Sequence, residues 1–145
     1  MLIFYSESKF YREHFIDLII NLKKTKQKNI FFVSSDYEDY LYHVNILDCL
    51  YLGNKFFLRL FFQVLACKCM IMTLTDLGNN LRKSIHCKNY VYFFHSIASI
   101  RTRYTSNAFG NYDIVLTNGE YQKKELTEYE DILNFPKKKI INVGY

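Results

Sequence analysis

Tryptophan is missing from the chain, proline occurs once (Pro136), and there are five glycines in 145 residues. So little proline and glycine excludes collagen-like repeats and long disordered stretches. No apolar run reaches the roughly 20 residues that a bilayer-spanning helix needs. The most apolar stretches are interrupted by Lys55, Arg59 and Lys68. The opening MLIFYSESKFYREHF lacks a basic leader, an apolar run and a small-residue cleavage site, so no secretory signal is read there. Neither G-x-G-x-x-G nor G-x-x-x-x-G-K-[ST] occurs, which argues against a dinucleotide-dependent dehydrogenase or a P-loop NTPase. A G-x-S-x-G nucleophile elbow is also lacking. No aromatic–basic motif of an RNA-binding module is found, and nucleic acid is not expected as a partner.

What is present is hydrophobic and aromatic. Half of the residues are hydrophobic, with 13 Tyr and 13 Phe, enough for one packed core over residues 1–145. The net charge of +5 is modest, with basic residues grouped at Lys23 to Lys28, Arg82 to Lys88 and Lys137 to Lys139. These groups read either as solvated helix ends and loops or as contacts for phosphates or an anionic membrane surface. A cytoplasmic location, peripheral on the inner face of the membrane, follows as the expectation. Cys67 and Cys69 fall two apart in a strand-like run, which predicts one shared face. With Cys49 and Cys87 they read as free thiols of a reducing compartment, since a zinc site would need more ligands than His86-Cys87 offers. No metal and no cofactor is expected.

Strand and helix patterns alternate along the chain. Continuous apolar runs at Leu2–Tyr5, Ile30–Val33, Val44–Leu52, Cys67–Leu74, Tyr90–Phe94, Tyr112–Leu116 and Ile140–Val143 predict strands. Apolar spacing of three and four predicts helices over Phe10–Lys24, Lys55–Ala66 and Glu120–Leu133. A short helix over Glu38–Tyr42 capped by Asp36, and another over Ile97–Ser106, complete the pattern. Continuous apolar strands are buried on both faces, the mark of a parallel sheet covered by helices. The expected fold is therefore α/β, a Rossmann-like parallel sheet flanked by helices.

Ligands of such sheets bind at the carboxyl ends of the strands. The residues found there are Ser6-Glu7, Ser34-Ser35-Asp36, Thr75-Asp76, His95-Ser96, Thr117-Asn118-Gly119 and Gly144-Tyr145. His95 stands out because a buried strand, VYFF, delivers it, and an imidazole near neutrality can take a proton from a hydroxyl. A histidine in this place can equally cap the next helix or satisfy a core carbonyl. His14, His43 and His86 read as structural.

YVYFFHSIASIRTRYTSNAFGNYDIVLTNGEYQKKEL, running into FPKKKIINVGY, resembles the CDP-glycerol:poly(glycerophosphate) glycerophosphotransferases. IFYSESKFYREHF and MIMTLTDL are similar to the opening and central strands of that family. The resemblance implies the N-terminal, acceptor-side half of a glycosyltransferase-B-like fold, with the donor-binding half missing from these residues. It implies transfer of a polyol phosphate from a CDP-linked donor to a cell-envelope acceptor, a polyol-phosphate or glycan polymer of teichoic acid, capsule or lipopolysaccharide. In that reaction His95 would be the base. Ser96, Glu7, Asp76, Asp113, Asn118 and Glu120 would line the substrate site. A separate chain carrying a donor domain would be the partner, and the chain alone would be inactive. The alternative is a non-enzymatic or decayed Rossmann-like binding domain.

Overall fold

The computed structural model describes residues 1–25, 29–75, 77–96, 98–105 and 108–144. Among these residues, seven strands form one all-parallel sheet: β1 (Leu2–Ser6), β2 (Ile30–Ser34), β3 (Asp48–Tyr51), β4 (Cys69–Met72), β5 (Tyr90–Phe93), β6 (Ile114–Thr117) and β7 (Lys139–Asn142). Their order in space is β3-β2-β1-β4-β5-β6-β7. Phe4 lies opposite Phe32 on one side and Ile71 on the other, and Ile71 continues to Val91. These four form one layer of side chains on one face. Ile3 and Tyr5, pointing the other way, join Val33, Met70, Met72, Tyr90 and Tyr92 on the opposite face.

The helices are α1 (Arg12–Lys24), α2 (Tyr37–His43), α3 (Lys55–Val64), α4 (Ile100–Arg103) and α5 (Glu120–Ile132). Phe15 and Ile19 of α1 close the Phe4 face. Leu58 and Phe62 of α3, Ile100 of α4 and Leu126 of α5 close the other. The crossovers run in opposite directions on the two sides of β1, so right-handed connections put their helices on opposite faces. The result is a Rossmann-like α/β fold, with the strand order reversing between β1 and β4.

Local chemistry sets the helix starts. Asn54 accepts a bond from the Phe56 N–H at 2.8 Å and Asp36 from the Glu38 N–H at 2.9 Å, so both are side-chain N-caps. Two sequence readings are corrected. The strand expected from Val44 begins only at Asp48, because the Ile46 and Leu47 N–H groups bond back to the His43 carbonyl and close a turn after α2. Cys67 and Cys69 do not share a face. Cys67 precedes β4, pairs with Cys87 in an isolated bridge and joins the α3-side core, whereas Cys69 lies against the Phe4 face. The two-residue period holds only from the start of the regular strand.

Candidate functional site

β5 carries Tyr90 to Tyr92 through the core and releases His95 at the carboxyl edge, half-buried. Its ring packs edge-on against Tyr11 at 4.8 Å between centroids and lies 5.6 Å from the ring of His14. His95 Nδ1 is buried without a hydrogen-bond partner among the described residues. Burial, then the nearby His14, then Arg103 lower its pKa below the usual 6.5. A neutral imidazole, able to accept a proton, is therefore the resting form at neutral pH.

The loop that holds it is fixed from β6 and α5. Gln122, fully buried, donates to the carbonyls of Ser96 at 2.9 Å and Ala98 at 3.2 Å. Asn118 Nδ2 donates to the same Ser96 carbonyl at 3.2 Å, and the Asn118 N–H donates to Gln122 Oε1 at 2.9 Å. Glu125 then accepts from Ser99 Oγ at 2.9 Å and the Ile100 N–H at 2.7 Å, anchoring the start of α4. Gln122 and Glu125 escaped the sequence reading because they sit inside a charged helix; only their spacing on the helix face turned toward the loop could have flagged them.

Glu7 lies at the end of β1 beside Tyr11. The Tyr11 phenol is raised above its usual pKa, by burial first and then by the Glu7 carboxylate. Glu7 also lines an open cleft of about 490 Å³ with Tyr5, Ser35, Lys55, Arg59 and Leu74, among others. This cleft opens where the strand order reverses, the expected ligand position of the fold. Tyr5 is pushed up to about 12 by burial, against a lowering hydrogen bond with Ser35 and with Glu7 adding to the rise. Glu7 thus bridges two neighbourhoods, the His95–Tyr11–His14 cluster and the cleft, and His95 does not line the cleft.

The remaining sequence candidates separate. Asn118 and Ser96 join His95 through the loop contacts above. Glu120 begins α5 at the same edge, where it accepts from Asn142 Nδ2 at 3.1 Å and lies 3.7 Å from Lys123. Asp113 lies at the opposite, amino edge. It precedes β6, accepts the Tyr90 N–H at 2.7 Å and pairs with Lys83 at 2.9 Å. There it ties the start of β5 to the start of β6 and does not meet His95. Asp76 lies outside the described residues. Among the described residues, no group of three or more His, Cys, Asp or Glu is arranged to hold a metal ion.

No protein-family model, no curated protein and no solved structure matches this chain.

Proposed function

We propose that this domain is the acceptor-side part of a polyol-phosphate transferase, with His95 as the general base. The observation that carries the reading is His95 itself: neutral, half-buried and delivered by a core strand to the ligand-binding edge of the sheet. In the proposed step an acceptor hydroxyl oxygen bonds to the phosphorus that bears the polyol of a CDP-linked donor. The bond from that phosphorus to the oxygen bridging the two phosphates breaks, CMP leaves, and the hydroxyl proton passes to His95. Tyr11 and His14 orient the imidazole, and Asn118 and Gln122 hold its loop. The donor would be bound largely by a partner chain. The acceptor would be a cell-envelope polymer at the inner membrane face. Among the described residues no helix is long and apolar enough to cross a membrane.

The test mixes this chain with a donor-domain partner, CDP-glycerol and a membrane acceptor and follows CMP. His95→Ala is expected to slow release by about 10²–10⁴-fold, the usual contribution of a general base. No release, or equal release from the variant, overturns the reading. A second reading, a binding domain without chemistry, is favoured by one observation: the cleft at the strand-order reversal excludes His95 from its lining.

A further inference from the structure

We infer that the cleft between the carboxyl edge of β1 and the first turns of α3 binds a phosphate group, held by Lys55 and Arg59. The inference does not depend on the transfer reading, because His95 is not part of this cleft.

Lys55 and Arg59 are four residues apart on α3, so they share one helix face, and both line the cleft. Among the described residues neither lies within ion-pair distance of a carboxylate, although Lys9, Arg12, Lys83 and Lys138 each have one. Two cations on one concave wall, without an ion-pair partner among the described residues, raise the local concentration of anions. The volume of about 490 Å³ suits a small phosphorylated molecule.

The hydroxyl groups in the cleft do not compete for this role. Ser35 Oγ lies 3.1 Å from the Leu52 carbonyl, to which it can donate, and 3.0 Å from the Tyr5 hydroxyl. The two hydroxyls are engaged with each other and with the backbone, and the cations on the cleft wall are Lys55 and Arg59. A phosphomonoester uses both cations: its two negative charges match theirs, and its oxygens match the guanidinium fork. A carboxylate has one charge to offer and leaves one cation unmatched. Glu7, also on the cleft, repels an anion from its own end and so confines the phosphate to the α3 side.

The phosphate has two physical sources. It can belong to a soluble phosphomonoester, or to a lipid headgroup. The second source is raised by α3 itself, which leaves Phe56 63%, Phe57 57%, Leu60 42% and Val64 71% exposed beside the two cations. Apolar side chains next to basic ones are what an anionic phospholipid surface accommodates.

The experiment is an NMR titration of the isotope-labelled chain with glycerol 3-phosphate at physiological ionic strength, with acetate as the carboxylate control. Flotation with phosphatidylglycerol and with phosphatidylcholine vesicles forms the second arm. Binding of one phosphate source is expected to weaken at least tenfold in the Lys55→Ala, Arg59→Ala double variant. It should be kept when the charges are exchanged (Lys55→Arg with Arg59→Lys) and kept in His95→Ala. Both residues are exposed, so the variants should retain the native spectrum. Shifts around Lys55 and Arg59 with glycerol 3-phosphate, and no flotation, identify a soluble ligand. Flotation with phosphatidylglycerol alone, lost in the double variant and in Phe56→Ser with Phe57→Ser, identifies a headgroup. Acetate matching glycerol 3-phosphate, or binding of both sources that is indifferent to the double variant, overturns the inference.

Discussion

Two histidine clusters meet the carboxyl edge of the sheet, one sealed and one open. Asp39, His43, Ser34 and Ser6 are all 0% exposed. Ser34 Oγ donates to Asp39 Oδ2 at 2.9 Å, His43 Nε2 lies 3.3 Å from Asp39 Oδ1, and Arg12 Nε lies 3.5 Å from the same oxygen. The His43 ring also packs against Phe32, tilted, with 4.0 Å between centroids. His95, by contrast, is half-buried and touches rings, while its buried Nδ1, like that of His43, has no hydrogen-bond partner among the described residues. Each cluster holds a histidine, one beside Asp39, Ser34 and Arg12 and the other beside Tyr11 and His14. The difference is access. A carboxylate closed off from solvent and surrounded by donors holds helices to a sheet, whereas an imidazole desolvated on one side and open on the other is suited to move protons.

The largest effect should come from the sealed side. Asp39→Ala would leave the Arg12 guanidinium, Ser34 and His43 facing an uncompensated hole. Breaking a buried pair from one side costs about 3–5 kcal/mol, read as a drop in the urea midpoint. The charge also gives a pH signature. Burial works against the Asp39 carboxylate, but hydrogen bonds from His43, Ser34 and Ser6 and the charge of His43 outweigh it, leaving the pKa below 3.8. Because the folded value is the lower one, this stabilisation is full above pH 3.8 and fades as pH falls below it. A loss under about 1 kcal/mol would erase the distinction between the two clusters.

How much of this was legible in the residues depends on range. The continuous apolar runs announced a parallel sheet because burial on both faces leaves no alternation. Asp36 as a cap was legible because capping is local. Val44–Leu47 was misread as strand because β-branched residues invite it, yet Val44 and Ile46 stay about 39–40% exposed in a turn that only the His43 carbonyl explains. Proximity in sequence to the β5–β6 segment could not say that Asp113 belongs to the amino edge. The cleft was legible only in part: the strand ends pointed to Glu7 and Ser35, but not to the α3 wall with Lys55 and Arg59. It joins residues near 5, 35, 55 and 80, and nothing local ties those segments together before the sheet forms. His14 reads as structural in the sequence, and the fold adds only that α1 sets its ring 5.6 Å from that of His95.

The middle-sized effect lies in the support of the open cluster. Gln122→Ala would leave the Ser96 and Ala98 carbonyls and the Asn118 N–H short of a partner. Unsatisfied buried groups of this kind cost about 1–3 kcal/mol in total stability. The more telling readout is local. Amide exchange should rise at residues 98–100 and 118 while α1 and α2 keep their protection. Equal loosening of the α2 side would mean that the two clusters are not independent supports.

The smallest effect is a change of slope. His95 has its pKa lowered in the folded chain, by burial, by His14 and by Arg103. The unfolded chain therefore binds the proton more tightly, and stability must fall as pH drops through 6.5 toward the folded value. Above 6.5 both states hold His95 neutral and it contributes no pH dependence. His95→Gln should leave stability at pH 7.5 close to that of the parent and flatten the loss between pH 7.5 and pH 5. Midpoints of urea unfolding at the two pH values, in parent and variant, give the difference directly. In the transfer assay the same pKa predicts that activity in the parent falls off only below 6.5. A parallel pH dependence in parent and variant would mean that the imidazole is hydrated as fully in the fold as in the unfolded chain, and the partial desolvation on which the proposed role of His95 rests would be lost.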